Sequence, residues 1–172
     1  MSALPEFKAL WRQPVLFCAL GFGSGLMPRA PGTWGSLLAV ALYCVLFPWL
    51  SWQWAAGLLL LSFVLGVFFC AKASESLGSH DHSAVVWDEF VGQWMVLLYL
   101  DRATQLPLIG CLLVGFALFR LFDITKPWPI RWFDRNLQGG LGVMFDDVLA
   151  ALMAILLVYL LARLALPEVL VL

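Results

Sequence analysis

Five carboxylates of this 172-residue chain lie in or beside long apolar segments, where ionised side chains are costly and usually functional. Asp88 and Glu89 form a first acidic pair, Asp146 and Asp147 form a second, and Asp123 lies between them. The first pair stands between Trp87 and Phe90 with no basic residue nearby in sequence. A bound divalent cation would supply the missing positive charge, and carboxylate oxygens suit Mg²⁺. These five acids are therefore the predicted metal ligands.

Structural roles are alternatives for the same acids. The first acidic pair could complement the dipole of a helix that Ser83 starts. Asp123 is three residues from both Arg120 and Lys126, a spacing that fits helical ion pairs. The second pair could hold the N-cap of the last helix, although two successive aspartates exceed what capping requires.

A glycine-rich segment at residues 21–36 runs directly into an apolar stretch. Glycines allow close backbone approach, and a helix N-terminus offers free N–H groups to an anion, so Arg29 and Thr33 are candidate phosphate-binding residues. Thr33 could instead be an N-cap, and Gly35 and Ser36 could reflect tight helix packing.

Four of the ten basic residues lie between positions 120 and 135, interleaved with tryptophans and prolines. They are Arg120, Lys126, Arg131 and Arg135. Basic side chains suit phosphate, which makes them candidate head-group ligands. The alternative for Trp128, Trp132 and Arg131 is an anchor at the membrane interface.

Two histidines flank an aspartate in the segment His80-Asp81-His82. A zinc site is one reading, but residues two apart do not share a helix face, and a solvated loop is favoured. We retain the three residues only as possible outer-sphere partners of the carboxylates.

Composition places the chain in a membrane, because 63% of its residues are hydrophobic and only 12% are charged. A soluble domain carries about a quarter charged residues. The net charge of −1 gives no general attraction to nucleic acid. No internal repeat is visible, so residues 1–172 are predicted to form one domain, and no obligate protein partner is indicated.

Five apolar segments predict an all-α, polytopic membrane protein with about four to five membrane-embedded helices. The segments are Trp34–Leu50, Trp54–Ala71, Ala84–Leu100, Leu106–Phe122 and Val148–Leu166. The third contains the first acidic pair and is expected to be a partly buried helix.

Positive charge gathers before the first span and in two later polar loops, whereas the opposite side has Arg102, balanced by Asp101, and Arg163. Because basic residues favour cytoplasmic loops, the N-terminus and the active site are expected to face the cytoplasm.

Three stretches make the chain resemble the phosphatidylglycerophosphatase A family. They read GSGLMPRAPGTWGS at 23–36, HDHSAVVWDEFVGQW at 80–94 and FRLFDITKPWPIRWFDRNLQGGLGVMFDD at 119–147. The resemblance covers nearly the whole chain. It implies a bacterial inner-membrane enzyme that hydrolyses phosphatidylglycerophosphate to phosphatidylglycerol and inorganic phosphate, with Mg²⁺ as its cofactor. The five acids would then be the metal and catalytic set, with Glu89, Asp123 and Asp147 as the catalytic candidates.

Competing chemistries fit the sequence less well. The chain has no Cys-x5-Arg nucleophile, no DxDx opening and no paired-histidine pattern of type-2 lipid phosphatases. Attack by a magnesium-activated water is the expected mechanism, and a covalent aspartyl-phosphate at Asp123 is the alternative. A CDP-alcohol phosphotransferase would carry a DGxxAR pattern, which is absent. A non-catalytic transporter would be expected to hold charges at the bilayer midplane rather than at one face.

Overall fold

The computed structural model describes residues 7–79 and 82–165. Every long element is a helix. The helices are α1 (Phe7–Leu10), α2 (Pro14–Ala19), α3 (Pro31–Leu46), α4 (Trp52–Leu77), α5 (Trp87–Ala103), α6 (Leu108–Thr125), α7 (Ile130–Asn136) and α8 (Gly139–Ala165). Short 3₁₀ turns at Gly21–Leu26 and Phe47–Trp49 precede and follow α3.

Helix α5 is the central helix of the bundle and packs against α3, α4, α6 and α8. Its buried side chains include charged and amide groups as well as apolar ones. Two tryptophans tie it to its neighbours, because Trp87 Nε1 donates to the Ser62 carbonyl at 3.0 Å and Trp94 Nε1 to the Ala39 carbonyl at 2.8 Å. The prediction that the third segment is a partly buried helix is confirmed.

Four helical segments are long and apolar enough to cross a membrane. They are Pro31–Trp49, Trp52–Leu77, Leu108–Thr125 and Gly139–Leu164. Many leucines and valines on their outer faces are exposed, including Leu60, Val64 and Leu113. Such faces are stable against lipid rather than water, and the predicted all-α membrane protein with four to five embedded helices is confirmed.

Helix α8 begins nine residues before the predicted fifth segment. Asp146 and Asp147 therefore lie in its interior, and the N-cap alternative for this pair is wrong. Two other predicted helix starts are also wrong. Thr33 lies within α3, whose N-cap is Ala30, and α5 begins at Trp87 rather than at Ser83. The first acidic pair does lie in the first turn of α5.

Glycines set the close approach of α4 to α8. A Cβ on Gly140 would collide with the Val67 carbonyl and the Ala71 backbone, and one on Gly66 would meet the Met144 side chain. Small residues at helix contacts let backbones approach closely in a membrane. This approach fixes the height of α8 and hence the depth of the second acidic pair.

At the opposite end of the bundle, polar groups join the two short connections. Tyr43 donates to Asp101 at 3.0 Å, and Arg102 donates to the Leu50 carbonyl at 3.0 Å. These groups lie at the far ends of α3 and α5 from the acidic pairs, so the bundle has one acidic end and one connecting end.

We predict that Gly140→Val destabilises the protein, because the branched side chain must displace backbone of α4. Overpacking of this kind costs about 1–3 kcal/mol, which corresponds to an unfolding temperature lower by several degrees. Thermal unfolding in detergent measures the shift. Gly57→Val is the matched control, since no atom lies within 4 Å of a Cβ at Gly57. Equal unfolding temperatures for the two variants would contradict the assignment.

Candidate active site

A cavity of about 250 Å³ opens at the acidic end of the bundle. The starts of α3 and α5, the end of α6 and the second turn of α8 surround it. Its lining is Ala30, Pro31, Gly32, Ser83, Val85, Asp88, Glu89, Arg120, Asp123, Ile124, Lys126, Asp146 and Asp147. All five predicted acids are therefore brought together from three helices.

Three of these acids form a tight cluster, in which one oxygen each from Asp88, Glu89 and Asp147 lies within 4.8 Å of the others. All three residues are buried. Within the described part of the chain, the buried Oε2 of Glu89 and Oδ2 of Asp147 accept no hydrogen bond. Buried oxygen acceptors are normally paired, and oxygen-only clusters are what hard divalent cations bind. The donor set therefore fits a magnesium ion.

Gly32 leaves the space that the Glu89 carboxylate occupies. A Cβ at Gly32 would collide with Glu89 Oε1 and would also lie 3.2 Å from Nη1 of Arg120. On the other side of the cluster, Gly92 brings α5 close to α8, where a Cβ would lie 3.0 Å from the Asp147 carbonyl oxygen. Both glycines are explained by the crowding around the carboxylates.

Arg120 is the first cation of the cavity. Its guanidinium forms an ion pair with Asp123, its Nη1 lies 3.8 Å from Glu89 Oε1, and Nη1 also donates to Ser36 Oγ at 3.4 Å. Ser36 is fully buried, and its hydroxyl donates to the Gly32 carbonyl at 3.0 Å. The sequence indicated Ser36 only as a packing residue; its contact with Arg120 joins positions 84 residues apart.

Lys126 is the second cation. It ends α6 in a left-handed conformation, and its ammonium group pairs with Asp146 of α8 and, at 2.6 Å, with Asp134 of α7. Burial alone would lower the pKa of Lys126, but the two carboxylates raise it above its ordinary value, so the side chain stays charged. Sequence reasoning did not identify Asp134, although its position within the basic segment was a possible signal.

Three predicted phosphate ligands lie elsewhere. Arg29, Arg131 and Arg135 are exposed and do not line the cavity, and Thr33 is half-buried one residue beyond the lining residue Gly32. Only Arg120 and Lys126 of the predicted basic set face the carboxylates.

The histidine segment is described only in part. His82 is half-buried, and its Nδ1 accepts a hydrogen bond from the Ala84 amide at 3.2 Å, so it stabilises the loop before α5. His80 and Asp81 lie outside the described residues.

Fold and cavity together define a multi-pass helical membrane protein with a carboxylate cluster and two cations at one end. Comparison with known proteins gives the family. The family model "PgpA: Phosphatidylglycerophosphatase A" matches residues 17–162. The chain belongs to the phosphatidylglycerophosphatase A family.

Relatives cover most of the chain. A protein of Escherichia coli (strain K12) named phosphatidylglycerophosphatase A is 40% identical over 160 residues, which are 90% of this chain and 90% of the relative. A protein of the same name from Haemophilus influenzae is 45% identical over 155 residues, 90% of this chain and 93% of the relative. A Bacteroides thetaiotaomicron protein named putative phosphatidylinositol-3-phosphatase is 42% identical over 149 residues, 84% of this chain and 91% of the relative. No solved structure matches.

We predict that Asp147→Asn raises the unfolding temperature when a chelator is present, because it removes one charge from three crowded, buried carboxylates. The expected gain is about 1–3 kcal/mol, or several degrees. With millimolar magnesium the order should reverse, since an ion that binds only the folded wild type stabilises it.

Asp134→Asn is the control for this measurement. It removes a carboxylate that already has a cation, so it should lower the unfolding temperature with or without magnesium. A wild type that is more stable than Asp147→Asn in chelator would show that the cluster is not under electrostatic stress.

Proposed function

We propose that this protein hydrolyses the terminal phosphate of phosphatidylglycerophosphate to give phosphatidylglycerol and inorganic phosphate, and that it requires magnesium. The observation that carries the proposal is the buried cluster of Asp88, Glu89 and Asp147 beside two paired cations. Family membership and the printed names of two relatives support the lipid substrate. The cofactor rests on the chemistry of the carboxylate oxygens.

Asp88, Glu89 and Asp147 would hold the ion, with Asp123 and Asp146 close enough in the cavity lining to complete its surroundings. When bound, magnesium supplies positive charge that offsets the phosphate and polarises its oxygens. Asp123 and Asp146 have a second role, because each also orients one cation.

Arg120 and Lys126 face the cavity from the end of α6 and bind the phosphate oxygens. Asp123 and Asp146 hold both cations in place before substrate arrives, so little reorganisation is needed as charge develops on the phosphoryl group. Arg29, Thr33, Arg131 and Arg135 are outside the cavity lining and act, if at all, on the remainder of the lipid head group.

The reaction breaks the bond between phosphorus and the glycerol oxygen. A water oxygen attacks phosphorus, a carboxylate of the cluster accepts the water proton, and the leaving glycerol oxygen takes up a proton to become a hydroxyl. Glu89 and Asp147 are the candidate proton acceptors, because each has a buried oxygen that accepts no hydrogen bond within the described residues.

Purified protein in mixed micelles tests the proposal through phosphate release with and without chelator. Phosphate should be released from phosphatidylglycerophosphate much faster than from glycerol 3-phosphate, and only when magnesium is present. Phosphatidylinositol 3-phosphate is the informative third substrate, because one relative carries a name of that type. Absence of release from every lipid monoester would overturn the assignment, and faster release from the inositol lipid would change the substrate.

We predict that Asp147→Asn and Glu89→Gln each lower the rate more than about a hundredfold while the protein still inserts and folds. An amide keeps an oxygen but loses the charge that offsets the cation. Asp123→Asn and Asp146→Asn should also lose most activity, because Arg120 and Lys126 lose their partners. Titration with magnesium separates the roles, since partial recovery marks a ligand and no recovery marks proton transfer. Near-normal rates in the double variant Asp146→Asn/Asp147→Asn would end the metal proposal for this pair.

We also propose that the protein resides in the bacterial inner membrane with the cavity facing the cytoplasm, on the basis of its positive-charge distribution. Cysteines placed at Ser79 and Asn136 should then be labelled only from the cytoplasmic side, and one at Ser51 only from outside. All three positions are at least partly exposed. Labelling of Ser79 and Ser51 from the same compartment would contradict this orientation.

A further inference from the structure

The short helix α7 presents two indoles and two guanidinium groups away from the bundle. Trp128, just before α7, is 81% exposed and Trp132 is 54% exposed. Arg131 and Arg135 are exposed, and within the described residues neither forms an ion pair. Exposed indoles beside unpaired cations are unusual for a surface that faces only water. We call these four residues the outer face of α7.

The opposite side of α7 is fixed to the bundle. Ile130 is fully buried, and the ring of Phe133 packs edge-on against Phe145 of α8 with centroids 5.2 Å apart. Arg131 Nη2 donates to the Thr125 carbonyl at 3.1 Å, which ties the start of α7 to the end of α6. The outer face therefore cannot turn inward toward the cavity without unpacking Ile130 and Phe133.

The position of α7 along the bundle is equally constrained. It connects the end of α6 to the start of α8, both of which are span ends at the acidic end of the bundle. Asp134 of α7 also pairs with Lys126, which lines the cavity. The outer face thus lies at the level where lipid head groups meet the hydrocarbon, beside the mouth of the site.

We propose that the outer face of α7 docks on anionic phospholipid head groups of the surrounding bilayer, separately from the phosphate held in the cavity. Indole rings favour the boundary between hydrocarbon and head groups, and arginine places its charge at lipid phosphates while its stem lies on apolar groups. Each basic residue near an anionic membrane surface contributes roughly a fivefold gain in binding.

Docking would also act on the site through one ion pair. Asp134 and Lys126 join α7 to the cavity, so an α7 held on the bilayer surface keeps Lys126 beside Asp146. A water-filled gap between α7 and the membrane would leave Lys126 with a less constrained partner. Anionic lipid should therefore favour substrate binding over and above any attraction of the substrate itself.

An environment-sensitive fluorescent amino acid at position 132 tests the docking directly, in nanodiscs of neutral phosphatidylcholine with or without about a third of phosphatidylglycerol. Emission should shift to the blue in the anionic nanodiscs and return toward the neutral value in high salt. The double variant Arg131→Gln/Arg135→Gln should lose most of the shift. Lys72→Gln is the matched control and should retain it, because Lys72 is a basic residue of the same bundle end that already pairs with Glu75.

Identical emission in neutral and anionic nanodiscs, or a shift that survives in the double variant, would overturn the proposal. Emission that matches the value in water in every nanodisc would assign the outer face to solvent or to a protein partner instead. The fluorescence does not depend on catalysis, so it stands or falls separately from the proposed function. As a second readout, KM for the lipid substrate should rise roughly tenfold or more in the double variant in anionic nanodiscs.

Discussion

Crowding of negative charge in a low-dielectric bundle is the constraint on which the rest of this structure depends. Three buried carboxylates within 4.8 Å of one another repel strongly, and burial deprives them of the water that would screen the repulsion. The chain answers with two cations, each tied to its own aspartate at the rim of the cluster. Arg120 and Lys126 thus lower the cost of the acids without neutralising all of them. The remaining negative charge in the core of the cluster is the part that a divalent cation can use.

The fold follows from bringing these groups to one depth. Helix α5 carries Asp88 and Glu89 in its first turn, so it must begin at the level of the cavity and run inward, surrounded by the other helices. Helix α8 reaches the same depth only in its second turn, which is why it extends past α5 and needs Gly140 to pass the backbone of α4. Positions that look like ordinary membrane packing glycines therefore set the geometry of the charged site.

Much of this arrangement could be predicted from the sequence, because ionisable residues inside apolar segments are few and conspicuous. The five acids, the helical class and the buried character of α5 all came from local pattern. The start of α8 was misplaced because glycines at 139–142 resemble a turn, and only tertiary contact with α4 shows why they continue a helix. Ser36 and Asp134 were missed for the same reason, since their partners lie on other helices. The four basic residues of the third motif could not be separated either; Pro127 and Pro129 redirect the chain, so Arg120 and Lys126 face in while Arg131 and Arg135 face out.

That division explains how one basic segment can serve two kinds of phosphate. A cation inside the cavity must be held rigidly, because it acts on charge that develops during bond breaking, and both inner cations have carboxylate partners that restrict them. A cation that meets the bilayer surface gains from mobility and from the absence of an internal partner, since head groups diffuse and differ in structure. The exposed arginines of α7 meet the second requirement and would be poor at the first. A lipid phosphatase needs both, because its substrate must stay in the membrane while its terminal phosphate enters a site built for charge.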